Sequence, residues 1–513
     1  MQLQKFLKAA IALVGVAWLT AALVSSCKQP KEKKQGISHG QELAEQYCAS
    51  CHKYVPPSAL DSATWKRGVL PNMASRLGIR VWGQDEYFQP NPGDHPLLKF
   101  EDWMDIVKFY LHTAPKKMDT SRLPQPFVSD WAVFKLQVPA VKDTALEATT
   151  CMLGWDSASG HLYVASEETS SLNVYEPGGK LLHTFQTHSP VVHYSQFRDP
   201  GTDTVQRLFT TIGQMIATDE ARGEQLRFNP EKDADPDYNI VAAFQPRPVF
   251  TVAGDFNKDK LTDYVVCGFG HEQGALLLMR QTPDRKFNID TIKAIPGAIQ
   301  AQTGDFNKDG WLDVMVLFAH AQEGISVFYN NQHGGFTEKR LLDFLPVWGS
   351  SSFQYTDVDH DGLPDIVYTC GDNGDYSNVL KPFHGVYIFL NKGDMKFEQR
   401  WFFPIHGCYK AVAADFDGDG DVDIATIAFF ADHINRPEEE MVYFEQDKSM
   451  QFIPHAIPVH NMGRWICMEV ADYDHDGDPD IFLGNMSKGL LENGVTPSWN
   501  RHIPFIVLEN RTR

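Results

Sequence analysis

The chain has 513 residues, 43% of them hydrophobic and 12% aromatic, too many for one ordinary core and too apolar for a disordered polymer, so two or more folded domains are expected. Its 66 Asp and Glu outweigh 46 Lys and Arg, a formal charge of −20, which excludes nucleic acid as a natural partner because phosphates would repel it. Much of that charge is local, with 20 carboxylates in five short Asp-rich segments that bound divalent cations would neutralise.

At the N-terminus Lys5 and Lys8 precede an apolar run from Ala9 to Val24, then Ser25-Ser26-Cys27, the layout of an export signal. Small residues directly before a cysteine resemble the lipobox of bacterial lipoproteins. The resemblance implies a signal peptide over 1–26, diacylation of Cys27, and a lipidated polar tether over 27–37. The protein is then expected in the bacterial cell envelope, held to the membrane by lipid and facing the periplasm or the cell surface. Lys28 after the cysteine favours, again by resemblance, transport to an outer membrane. No other stretch is long and apolar enough to span a bilayer.

Next comes Cys48-Ala49-Ser50-Cys51-His52. Two thiols at this spacing reach the two vinyl groups of one haem, and the adjacent histidine places its imidazole on the iron. Zinc would need two further close ligands, and the chain has no second Cys-x-x-Cys; a redox dithiol would need a βαβ surround. One covalent haem c is the expectation. Ser38 with Gln41 makes a capping box for a helix whose Gly40, Leu43, Ala44 and Tyr47 share a face. A second helix is predicted from about Asp102 to Thr113, apolar at Trp103, Ile106, Val107, Tyr110 and Leu111 and ended by Pro115. Two amphipathic helices bracketing this motif resemble the small class I cytochrome c fold, which implies an all-α haem domain over 38–120. Met73, Met104, Met118, His95 and His112 are candidates for the sixth iron ligand. The stretch from Cys48 to Gly78, with Pro56-Pro57, Trp65, Leu70-Pro71-Asn72-Met73 and Leu77-Gly78, resembles a cytochrome domain found beside repeat propellers in bacterial proteins, and the resemblance implies Met73. A thioether opposite His52 would raise the reduction potential and suit electron transfer. Cys151, Cys267, Cys370, Cys408 and Cys467 remain. They are odd in number and sit in apolar, strand-like runs, so they read as buried thiols, with a single disulfide left open.

Five segments of one form dominate the rest: Asp255-Phe256-Asn257-Lys258-Asp259 then Asp263; Asp305-Phe306-Asn307-Lys308-Asp309-Gly310 then Asp313; Asp357-Val358-Asp359-His360-Asp361-Gly362 then Asp365; Asp415-Phe416-Asp417-Gly418-Asp419-Gly420 then Asp423; and Asp472-Tyr473-Asp474-His475-Asp476-Gly477 then Asp480. Oxygens at positions 1, 3, 5 and 9, with a carbonyl at 7, can wrap one Ca²⁺, and glycine at 6 relieves the bend. An EF-hand would chelate from position 12, which here holds Val266, Val316, Tyr368, Thr426 and Leu483. Each lies in a β-rich run, so the loop joins two strands. This is the FG-GAP/VCBS repeat pattern, and the resemblance implies an all-β propeller over 127–513. At about 55 residues per repeat that span makes seven blades, two of which lack the loop: one from Gly160 to the Pro177-Gly178-Gly179 turn, one around Val191 to Arg227. The first loop has Lys260 where glycine belongs and is expected to bind weakly or not at all, giving about four to five Ca²⁺ in structural roles.

In a propeller the loops between strands 2 and 3 and the blade-to-blade connections share the face where ligands usually sit. His271, Glu272, His320, Asp372, Asp432, His433 and Arg464 fall there and form a candidate face for a polar or sugar-like ligand. No nucleophile elbow, Ser/His/Asp order or Gly-x-Gly-x-x-Gly fingerprint is present, so no catalytic residue is assigned. The leading expectation is an electron-transfer lipoprotein whose propeller docks a redox partner protein, a membrane electron-transport component or a polar ligand. The alternatives are an oxidoreductase that passes electrons from a sugar-like substrate to the haem, and a redox-sensing adhesion propeller.

Overall fold

The strand-like runs on either side of each Asp-rich segment form the first two strands of a four-stranded antiparallel sheet, and that unit recurs seven times around an axis. The computed structural model describes residues 30–91, 93–119, 127–140, 145–230, 240–374, 379–447, 450–489, 491, 495–496 and 498–512. The expected signal peptide, Cys27 and Lys28 lie outside the described residues. Two compact units divide at Met118 and Asp119.

In the N-terminal unit a helix spans Pro30–Tyr47 and a second spans Phe100–Thr113. Between them come helical turns at Cys48–Ser50 and Pro57–Ala59, a run of helical segments from Ser62 to Arg76, and a hairpin pairing Arg80–Trp82 with Glu86–Phe88. Three expectations need correction. Ser38 does not open the first helix, which already runs from Pro30 through part of the expected tether, because Lys31 to Gln35 are all good helix formers. Phe109, rather than Leu111, completes the buried stripe of the second helix alongside Trp103, Ile106, Val107 and Tyr110. The hairpin makes the unit mainly helical rather than all-α. Gly40, Leu43 and Ala44 are buried as the shared face requires. Gly40 is the point of closest approach: a Cβ there would lie 2.2 Å from the Asp105 carbonyl oxygen.

The second unit is a seven-bladed β-propeller. Blades I to VII occupy 150–186, 191–246, 248–293, 298–343, 350–404, 408–456 and 465–510. The two loop-free blades are I and II, the latter continuing to Pro246. Blade VII supplies only three strands from the C-terminal end, Trp465–Ala471, Asp480–Asn485 and Phe505–Asn510; its fourth is Phe134–Gln137, paired antiparallel to Phe505–Asn510. Val128–Ser129 adds a short parallel strand to the outer edge of blade VI. Tying first strand to last leaves no blade with a missing edge and closes the ring. Second strands in blades III to VII are buried along their whole length, which is why those runs read as continuously apolar rather than alternating. Cys267, Cys370 and Cys408 are buried free thiols, and Cys151 and Cys467 are half-buried ones.

Candidate functional site

Three places carry the chemistry expected from the sequence. In the N-terminal unit, Cys48 starts the turn that ends the first helix. Cys48 is half-buried, Cys51 exposed, and both are free thiols. Burial pushes the Cys48 thiol up to about 11, Cys51 adds to the rise, and the Tyr110 hydroxyl opposes it. Tyr110 donates to the Val55 carbonyl at 2.8 Å, and its ring packs 4.3 Å from that of Trp65. Trp65 in turn donates Nε1 to the Pro57 carbonyl at 2.9 Å, so the Pro-Pro turn and the Trp of the motif hold each other. His52 keeps Nδ1 2.9 Å from the Lys53 carbonyl, a contact that fixes the tautomer and leaves Nε2 with its lone pair. Met73, inside the helix Leu70–Arg76, is half-buried like Met104 and Met118, while His95 and His112 are exposed. Trp103 is fully buried, and its Nε1 has no partner among the described residues. Cys48, Cys51 and His52 are residues that could hold a covalent haem.

The five Asp-rich loops all connect strands 1 and 2 and share one backbone. Position 4 is left-handed in each, with φ of 61°, 61°, 58°, 74° and 64° at Lys258, Lys308, His360, Gly418 and His475. Position 6 is left-handed too, including Lys260 at 66°. Lys260 therefore does not disrupt the turn; it adopts a conformation that glycine would take without strain. The position-9 Asp is fully buried in every loop and clamps two backbone amides. One oxygen accepts the position-2 N–H, from Phe256, Phe306, Val358, Phe416 or Tyr473, at 2.7–3.2 Å. The other accepts an N–H at the far end of strand 3, from Gln281, Asn330, Asn391, Gln446 or Asn510, at 2.7–2.9 Å. Burial, against these hydrogen bonds, raises Asp263 and Asp423 to about 6 and Asp480 to about 7, and raises Asp313 and Asp365 as well.

The loops then divide. Among the described residues, carboxylate oxygens converge within 4.8 Å in three groups: Asp357, Asp359 and Asp361; Asp415, Asp417 and Asp423; and Asp472, Asp474 and Asp480. One buried oxygen each of Asp357 and Asp472 has no hydrogen-bond donor among the described residues. In the first two loops the side-chain amides of Asn257 and Asn307 instead donate to Asp259 and Asp309 at 2.9 and 3.0 Å. The Lys258 ammonium lies 4.3 Å above the Trp311 ring of the second loop and helps hold Asp309 below the usual carboxylate range, behind the larger contribution of the Trp311 N–H.

On the opposite loops, the predicted ligand face does not present its residues alike. His271 and His320 come together, ring centroids 6.5 Å apart, and Glu272 and Asp372 are exposed. Arg464 is buried with Nε on the Phe429 carbonyl and its guanidinium 3.7 Å from the Phe429 ring centroid. Asp432 is buried and accepts from the Asn435 N–H and side-chain amide at 3.0 Å. His433 pairs with buried Glu440 at 2.8 Å. These three hold the loops in place. Glu323, in the same loop as His320, is buried instead of presented to a ligand; it accepts from the Ser350 N–H and hydroxyl at 3.0 and 2.7 Å and is pushed up to about 8 by burial. Nothing in the sequence around Glu323 signals its burial, because the neighbouring Ala321 and Gln322 are exposed.

The family model for the FG-GAP-like repeat matches residues 255–316 and 305–368. The chain carries FG-GAP-like repeats. The two matches begin at Asp255 and Asp305 and together run from the first Asp-rich loop through the third, with the strands between them. Chains of similar shape occur in crystal structures of BBS1N in complex with ARL6DN: one, soaked with mercury, at 11% identity over 73% of this chain and 96% of that one, TM-score 0.42; another, soaked with lead, at 10% identity over 75% and 99%, TM-score 0.43. A chain of the S. cerevisiae assembly of Dbp5 with Nup159 and Gle1 matches at 11% identity over 75% and 96%, TM-score 0.42. The seven sheets themselves, rather than these likenesses, establish the propeller.

Proposed function

We propose that the protein is an exported haem c electron-transfer lipoprotein in which a calcium-stabilised FG-GAP-like propeller docks a partner or a polar ligand. The observation that carries this reading is Cys48-Ala49-Ser50-Cys51-His52 at the end of the first helix, with two free thiols and the His52 Nδ1 engaged by a backbone carbonyl. That is the state in which Nε2 can ligate a metal, with the neighbouring hydrogen bond orienting the ring. Two further observations support it. The two flanking helices meet at Gly40, and the buried, unpartnered Trp103 Nε1 is suited to donate to a bound group's carboxylate. Cys48 and Cys51 would carry the thioether bonds, His52 and Met73 would ligate the iron, and the bound haem would supply one-electron redox chemistry. The three convergent carboxylate groups, two of them with an unpartnered buried oxygen among the described residues, support Ca²⁺ at the loops starting at Asp357, Asp415 and Asp472 ahead of the two Asn-bearing loops. Lipidation of Cys27 and a place in the cell envelope belong to the same reading.

The test is the colour of the denatured chain. Protein made in cells competent for cytochrome maturation should keep its porphyrin after denaturation and washing in acidified organic solvent. A colourless polypeptide would end the haem reading. Met73→Ala should abolish a low-spin, Met-ligated spectrum, and an unchanged spectrum would exclude Met73 as the ligand.

A further inference from the structure

The inner strands of the seven blades form a closed ring, each packed on its two neighbours. Register puts the positions three and five residues before each Asp-rich loop on one face of the inner strand: Val252 and Phe250 in blade III, Gln302 and Gln300 in IV, Gln354 and Ser352 in V, Val412 and Lys410 in VI, Glu469 and Cys467 in VII. Blade II has Ser195 and His193 at the matching places. The wall is two-sided. Charge sits on blades VI and VII, where Lys410 donates to the Met468 carbonyl at 2.7 Å and attracts Glu469. A cavity of about 390 Å³ opens against blades II to V instead, and among the described residues no charged side chain lines it.

We propose that this cavity binds a neutral, hydroxyl-rich ring such as a pyranose, packed against Phe250 and Tyr355 and hydrogen-bonded by Ser195, Gln302 and Thr303. Its volume falls in the range of about 300–1,000 Å³ usual for small-molecule sites, which combine apolar walls with a few convergent polar groups. The glutamines of the ring show why Gln302 is available. Gln300 spends both ends of its amide on Phe353, and Gln354 both ends on Ala413, at 2.8–3.0 Å, stitching one inner strand to the next. Gln302 accepts only the Tyr355 N–H, at 3.2 Å, so its amide nitrogen keeps two donors. The hydroxyls of Ser195 and Thr303 are likewise without a protein partner among the described residues. The His193 ring lies tilted at 33° to that of Phe250, centroids 3.7 Å apart, and its Nδ1 accepts the Thr251 N–H at 3.4 Å, which leaves Nε2–H as a donor. Burial and the Lys410 ammonium drive its pKa down to about 3, so this ring is neutral at ordinary pH. Among the described residues the cavity's own lining offers an anion no cation and a cation no carboxylate.

The inference rests on the proposal that the propeller is the ligand-docking half of the protein, and it sets that ligand against the inner strands of blades II to V rather than on the outer loops. Isothermal titration of the full-length protein with methyl β-D-glucopyranoside and with maltose, and with glucose 6-phosphate as the charged counterpart, tests it. Heat is read whether or not haem is present, so failure here leaves the solvent-wash result standing. Saturable binding of a neutral sugar is expected, at least tenfold weaker for the phosphate. Gln302→Leu and Ser195→Val should each weaken it at least tenfold with an unshifted melting temperature. No binding of either neutral sugar, tighter binding of the phosphate, or undiminished binding to a folded Ser195→Val protein would overturn the proposal.

Discussion

Replacing Gly40 by alanine sets two physical effects against each other. Gly40 lies in the interior of the helix Pro30–Tyr47, where alanine ordinarily gains about 1 kcal/mol through helix propensity. The built Cβ, however, would lie 2.2 Å from the Asp105 carbonyl oxygen, 2.8 Å from its carbon and 2.9 Å from the Phe109 Cβ. Non-bonded carbons rest about 3.5–4.0 Å apart, so the helices must separate by an ångström or more against backbone that cannot rotate away. Overpacking of this kind costs about 1–3 kcal/mol. The crossing also buries Leu43, Ala44, Trp103 and Ile106, so separation loosens the contacts that exclude water there. The net expectation for Gly40→Ala is a loss of about 1–2 kcal/mol, with a larger loss for Gly40→Val. Hydrogen exchange read by mass spectrometry on the whole protein localises the effect: peptides within 37–47 and 100–113 should lose protection, and propeller peptides should not change. An alanine variant with equal or greater protection over those helices would refute the close-crossing argument, because propensity alone would then be deciding the outcome.

Chelation should lower the melting temperature of the propeller by several degrees, since an ion at 100 times its dissociation constant contributes about 2.7 kcal/mol per site; an unmoved transition means empty or irrelevant loops. Asp357→Asn with Asp472→Asn should reduce the bound calcium measured by atomic absorption, whereas Asn257→Ala should leave it unchanged. Lys260→Gly removes a left-handed lysine at φ 66°. Relief of about 1–2 kcal/mol, offset in part by the entropy of glycine, should raise stability by up to about 1 kcal/mol in urea unfolding. Glu323, fully buried with its pKa raised from 4.5 to about 8, holds its proton more tightly folded than unfolded. Its contribution is therefore complete below pH 4.5 and is lost as pH climbs towards 8. At about 1.4 kcal/mol per pH unit the loss is bounded near 5 kcal/mol, and Glu323→Gln should flatten that decline; an unaltered pH profile would refute it.

Much of this was legible along the chain because it depends on spacing. The recurring Asp loops, the apolar second strands and position 12 joining a strand all follow from local backbone preferences, and from them the count of seven blades. Gly40 could be placed on a buried face from its neighbours at i+3 and i+4. The capping role of Ser38 could not be judged in that way, since a helix start depends on what precedes it, and Lys31 to Gln35 favour continuing the helix.

By itself, then, the sequence determined which groups of atoms can act together over a few residues: two thiols and an imidazole, or three to five carboxylates in one turn. Only tertiary structure decided which of them stay available. Phe134–Gln137 closing blade VII, Arg464 spent on the Phe429 carbonyl, Glu323 sealed beneath Ser350, and Gln302 left with free donors while Gln300 and Gln354 are consumed all depend on partners tens to hundreds of residues away. A side chain's burial and hydrogen-bond account is settled by those distant neighbours, and residue type at one position does not encode it.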